Sequence, residues 1–146
     1  MKHKKILFVC TGNTCRSPMA EAAMKAELKK RKIAWYTVQS AGLRAVEGSP
    51  MTPESVQALT EAKIKFSPTF QSRLLTEKMV MDAYAVICMT EEQRAMLTGF
   101  RNVTSMEAIT GMEIADPYGR GIEVYRATLR KIREGISHVI LNLGIE

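Results

Sequence analysis

The chain has 146 residues, of which 46% are apolar and 25% charged, with a formal net charge of +6. Those proportions fit one folded domain, residues 1–146, and exclude a disordered chain. No apolar run approaches bilayer-spanning length, and three cysteines are too few for a secreted disulfide framework. Neither the cysteines nor the two histidines, His3 and His138, show zinc-like spacing, so no metal site is expected.

The amino-terminal run Lys2-His3-Lys4-Lys5 imitates the charged start of a signal peptide. The apolar stretch behind it, Ile6-Leu7-Phe8-Val9, is too short for one, and a cytoplasmic location is the simplest expectation. Ile6–Val9 reads instead as a first strand, followed at once by Cys10-Thr11-Gly12-Asn13-Thr14-Cys15-Arg16-Ser17. The first helix is expected from Pro18 to Lys32, with Ala20, Ala23, Met24 and Leu28 buried and Glu21–Lys25 paired on its surface. It ends in Lys29-Lys30-Arg31-Lys32, where cations oppose the negative end of the helix dipole. Neither basic cluster is interleaved with stacking aromatics, so both read as solvated surface and not as a nucleic-acid interface.

Trp35–Ala41 reads as the second strand, followed by a Gly/Pro-punctuated loop from Gly42 to Pro53. A helix from Pro53 to about Lys63 turns Val56, Leu59 and Ile64 inward. Phe66–Leu75 is expected to be irregular and Thr76–Met81 a short helix. Ala83–Met89 reads as the third strand, with Cys88 as core, and Thr90–Thr98 as the next helix, acidic in its first turn. Val103-Thr104 is a short fourth strand, and a long helix from Ile122 to about Leu143 closes the chain. Its stripe of Ile122, Tyr125, Leu129, Ile132, Ile136 and Ile140 is core, not a partner face. This alternation predicts an α/β fold, a doubly wound parallel sheet flanked by helices. In such sheets ligands bind beyond the carboxyl ends of the strands, where Cys10 falls.

Cys10 lies six residues before Arg16, across a small polar loop that joins a strand to a helix N-terminus. Backbone amides around such a turn converge on one anion, and the helix dipole adds to their field. Helix N-termini and cations favour thiolate over thiol, and a thiolate is the form that attacks phosphorus. Arg16 offers a planar fork for two phosphoryl oxygens. Gly12 permits a backbone conformation closed to residues with a Cβ, and Asn13 is among the few others that tolerate the left-handed region. Ser17 is expected to cap the helix and to hydrogen-bond the Cys10 sulfur, with Pro18 in the first turn. The loop Thr11, Gly12, Asn13, Thr14, Cys15, Arg16 and Ser17 thus reads as a covalent phosphate-handling site.

The segment resembles the active-site loop of the low-molecular-weight protein phosphatases, C-x-G-N-x-C-R-S-P. The likeness continues through Ser40-Ala41-Gly42 to Asp116-Pro117-Tyr118, similar to that family's D-P-Y/F loop. The resemblance implies a four-stranded, flavodoxin-like phosphatase fold acting on a phosphorylated protein or peptide without metal or organic cofactor. It makes Cys10 the nucleophile, Arg16 the phosphoryl-binding residue and Asp116 the general acid, with Tyr118 at the substrate and Ser40 supporting the loop. A carboxylic acid in that place can protonate the leaving group and then, as carboxylate, activate water. Pro117 holds Asp116 extended. For Cys15 two readings stay open: a reversible disulfide with Cys10, suggested by its family counterpart, or packing beneath the loop. The place of the family's supporting histidine holds Phe70, and the resemblance leaves the oligomeric state open, a monomer included.

Three departures bear on substrate. Tyrosine-directed members usually carry a bulky aliphatic residue after the nucleophile, whereas Thr11 resembles the arginine-directed ones. Leu43 to Gly48 contains no aromatic where those members commonly place one, near Val46, and Gly119 follows Tyr118 in place of a second ring. A phosphotyrosine ring loses about 1 kcal/mol for each missing contact. The expected substrate is therefore phosphoarginine, with phosphotyrosine as the alternative. Arsenate reductases share the loop but need a downstream cysteine pair, and only Cys88 exists here.

Overall fold

Ile6, Leu7, Phe8 and Val9 are all at most 1% exposed, so the strand that carries them has no solvent face. It is the centre of the sheet. In this computed structural model, which describes residues 3–145, β1 (Lys4–Cys10) pairs in parallel with β2 (Tyr36–Gly42) on one side and β3 (Ala85–Cys88) on the other. β4 (Val103–Ser105) completes the order β2-β1-β3-β4. Lys2 of the first basic cluster lies outside the described residues.

The side-chain alternation of β1 divides the core in two. Ile6 and Phe8 pack with α1 (Arg16–Lys30), α2 (Pro53–Glu61) and the carboxy-terminal helix, through Met19, Met24, Leu59, Tyr125 and Ile132. Leu7 and Val9 face the opposite layer, built on Val80 of α3 (Glu77–Asp82) and on Leu97 and Phe100 behind α4 (Glu91–Ala95). A short α5 (Met106–Thr110) follows β4, and α6 (Ile122–Asn142) closes the chain. Tyr125, Leu129, Ile132, Ile136 and Ile140 of its stripe are buried, while Ile122 is only partly so.

The departures from the sequence reading are local. α1 starts at Arg16, not Pro18, and Ser17 does not cap it: Cys15 occupies the cap position with no side-chain bond. The Ser17 hydroxyl is engaged elsewhere, by Cys10 and Asn13. α4 ends at Ala95, short of Thr98, and β3 runs only from Ala85 to Cys88, because Ala83 closes α3. α5 was not anticipated; five residues capped by Ser105 and stopped by Gly111 at φ 79° are too few for a visible period.

Candidate active site

β1 delivers Cys10 at its carboxyl end, and the chain turns through Thr11–Cys15 before α1 begins. Beneath the turn lies Gly42 of β2, paired with Cys10 in register. A Cβ there would stand 2.6 Å from the Thr11 carbonyl oxygen and 3.0 Å from the Asn13 Cβ, so only glycine lets the loop settle on the strand. Of the two residues able to take the left-handed region, the loop uses Asn13, at φ 57°, and not Gly12. Asn13 tolerates the conformation because its side chain is fully tied down. Its Nδ2 donates to Ser17 Oγ (2.8 Å) and Ser40 Oγ (3.0 Å), and its Oδ1 accepts from the Arg73 amide (2.9 Å). Its own carbonyl accepts from Ser72 Oγ at 2.7 Å.

Phe70 packs against the core, and the loop is anchored by Ser72 and Arg73, two and three residues later. Arg73 also donates to the Ser40 carbonyl, and the Ser40 hydroxyl donates to Glu21 Oε1 at 2.7 Å. Ser72, Arg73 and the second role of Glu21 escaped the sequence reading, which saw in Glu21 only the partner of Lys25, also present at 2.7 Å.

Cys10 is 2% exposed, and its sulfur lies 2.9 Å from Ser17 Oγ and accepts from the Asn13 amide at 3.3 Å. Arg16, nearly as buried, donates from Nη1 to the Ile114 carbonyl (3.0 Å) and lies 3.8 Å through Nη2 from Asp116 Oδ2. Its Nε is buried with no partner, the one such side-chain atom among the described residues. Asp116 is half-exposed, its other oxygen accepting from the Tyr118 amide at 3.1 Å. Cys10, Thr11, Arg16, Asp116 and Tyr118 line one cleft of about 490 Å³, at the carboxyl ends of the strands. The chain's landmarks, a hundred residues apart in sequence, are thus brought together. Thr14 and Gly12 line the same cleft, as does Arg44, which sequence reasoning missed.

Cys15 sits under the loop, its sulfur 3.3 Å from the Tyr125 hydroxyl and 3.6 Å from Thr52 Oγ1. Burial, and then the contact with Cys15, push the Tyr125 phenol well above its ordinary range. All three thiols are free. Among the described residues no group of three or more His, Cys, Asp or Glu side chains could hold a metal ion, and no helix is long and apolar enough to cross a membrane.

A buried cysteine ringed by donors, an arginine with an unmet N–H and a carboxylate across a cleft define a phosphate-handling enzyme built on a doubly wound sheet. Residues 5–145 match the family model for low molecular weight phosphotyrosine protein phosphatase, and the chain belongs to that family. It is 36% identical over 137 residues to a protein-arginine-phosphatase of Bacillus subtilis, covering 88% of this chain and 89% of the relative. It is 32% identical over 141 residues to the low molecular weight protein-tyrosine-phosphatase PtpB of Staphylococcus epidermidis, covering 92% and 96%. The solved structure of the arginine phosphatase YwlE, as a cysteine-to-serine mutant with its active-site serine phosphorylated, superposes with a TM-score of 0.86. That match is at 33% identity and covers 96% of this chain and 95% of that one. The protein is accordingly a cysteine-dependent protein phosphatase that works through a phosphoenzyme.

Proposed function

We propose that this phosphatase hydrolyses phosphoarginine side chains of proteins, with Cys10 as nucleophile, Arg16 as phosphoryl ligand and Asp116 as proton carrier. The observation that carries the site assignment is Arg16 Nε, a buried N–H left without a partner on a residue that lines the same cleft as Cys10. A buried, unpaired guanidinium N–H costs about 1–3 kcal/mol or more, a cost that a bound phosphoryl oxygen removes. The Cys10 sulfur attacks phosphorus, the S–P bond forms and the P–N bond breaks, and the Asp116 carboxylic acid gives its proton to the departing nitrogen. The resulting carboxylate then takes a proton from the water that cleaves the S–P bond. Thr11, Gly12, Thr14 and Cys15 surround the phosphoryl group as loop, and Tyr118 covers the lip of the cleft.

The arginine preference is supported by what lines the lip. Val46 stands there 72% exposed with no aromatic neighbour in its loop, and Thr11 presents a hydroxyl where an apolar wall would suit a phenol. The likeness to the Bacillus subtilis protein points the same way. An arsenate-reductase relay finds no support. Cys88 is wholly buried in β3, and burial pushes its thiol up to about 12. A nucleophile that must remain a reduced thiol suits the cytoplasm.

The test is kcat/KM on matched phosphoarginine and phosphotyrosine peptides, for the wild type and Thr11→Ile. The expected result is a phosphoarginine preference that Thr11→Ile reverses; a wild-type preference for phosphotyrosine would overturn the substrate reading. Cys10→Ser should abolish turnover while vanadate still binds, and retained turnover would remove Cys10 from its role.

A further inference from the structure

The Thr11 hydroxyl is not a free rotor. Gln93 Nε2 donates to Thr11 Oγ1 at 3.3 Å from the other side of the sheet's carboxyl edge. The direction of that bond is settled by the remainder of the carboxamide. Gln93 Oε1 accepts from two backbone amides, Met89 at 2.9 Å and Thr90 at 3.2 Å, so the nitrogen end must face Thr11. Gln93 is 5% exposed, and its backbone amide is itself held by Thr90 Oγ1, closing a capping box on α4. A rigid donor therefore occupies one lone pair of the Thr11 oxygen. Thr11 lines the cleft, and its hydroxyl keeps one further lone pair and its own proton for whatever lies beside the phosphoryl group.

We infer that Gln93 is a specificity-determining positioning residue, which orients the Thr11 hydroxyl so that its remaining lone pair accepts an N–H of the substrate's leaving group. This rests on the phosphoarginine reading of the site. The chemistry discriminates: the bridging atom of a phosphoarginine is a nitrogen that carries hydrogen and sits in a guanidinium rich in donors. The bridging atom of a phosphotyrosine is an ester oxygen with none. A hydroxyl whose acceptor face is fixed rewards the first and gives nothing to the second. Gln93 touches no substrate and acts only through Thr11.

The experiment is a double-mutant cycle on the ratio of kcat/KM for phosphoarginine over phosphotyrosine peptides. Gln93→Met removes the donor without changing length or charge, and Thr11→Val removes the hydroxyl. Gln93→Met should lower the ratio about three- to ten-fold, the worth of one neutral hydrogen bond. On the Thr11→Val background it should lower it no further. Gln93→Glu serves where loss of the cap unfolds α4, because a glutamate keeps both amide bonds of the capping box and has no N–H for Thr11. It too should lower the ratio, and only while Thr11 is present. A purely structural glutamine predicts equal losses on both substrates and a silent Gln93→Glu, and either result overturns the inference. So does a change of ratio that persists in Thr11→Val. The wild-type ratio reads the substrate and the coupling reads Gln93. Preference for phosphotyrosine thus defeats the substrate assignment, while additive effects defeat the role of Gln93 whichever substrate wins.

Discussion

Asn13→Ala tests whether one side chain holds the phosphate loop. Asn13 is wholly buried, and its carboxamide makes hydrogen bonds of 2.8, 2.9 and 3.0 Å to three separate parts of the chain. Each is worth about 1 kcal/mol, and the Arg73 amide, with no other partner, is left unsatisfied. Alanine also meets the left-handed conformation at a cost of about 1 kcal/mol. The expected loss is about 4 kcal/mol, a large share of the roughly 5–15 kcal/mol that stabilises a domain. For about 150 residues that is a fall in Tm of roughly 10 °C. Asn13→Gly removes the same bonds but relieves the backbone, and should be milder by about 1 kcal/mol. Urea unfolding followed by circular dichroism measures both variants, and phosphatase assays should show kcat falling in each, because Ser17 loses the bond that sets it against Cys10. A loss below about 1 kcal/mol in Asn13→Ala, or a glycine variant as unstable as the alanine one, would refute the reasoning.

Gly42→Ala places a methyl against the Thr11 carbonyl, which as backbone cannot yield without moving the loop. A displacement of the site on that scale costs about 100-fold in kcat/KM, and an unchanged value would show that the loop has slack. Asp116→Asn should lower kcat by about 100-fold or more while vanadate binding persists, with stopped-flow release of the leaving group as the check. Arg126, bound to Glu61 across α2 and α6, holds that carboxyl down at about 2 from 4.5, chiefly by its hydrogen bond. A carboxyl lowered on folding contributes stability that is present above about 4.5 and lost as pH falls through about 2. Glu61→Gln should therefore flatten the acid limb of a Tm-against-pH curve, and a wild-type limb retained in the variant would remove the pair from acid stability.

Much of the architecture was legible because it is written in short-range pattern. The four apolar residues of β1, the turn chemistry of Gly42 to Pro53 and the stripe of α6 each declare an element within a dozen residues. The cysteine–arginine spacing is legible for the same reason: six residues suffice to join a strand end to a helix start on one cleft. Misreadings fell where local signals compete. Ser17 has the chemistry of a cap, yet it falls inside α1, one residue past its start, and a buried sulfur and carboxamide engage its hydroxyl. Gly12 and Asn13 both suit the left-handed region, and Asn13 takes it because Ser17, Ser40 and Arg73 secure its side chain there.

The sequence by itself determined that a strand, a small polar loop and a helix would bring Cys10 and Arg16 to one place, because those residues are neighbours along the chain. Only the tertiary structure decided what surrounds them. Asp116 reaches Arg16 across the cleft, Ser72 and Arg73 hold Asn13 from 59 and 60 residues away, and Gln93 grips Thr11 from 82 residues away. Such partners are chosen by sheet order and helix packing, which bring side chains together without leaving any periodic trace between them.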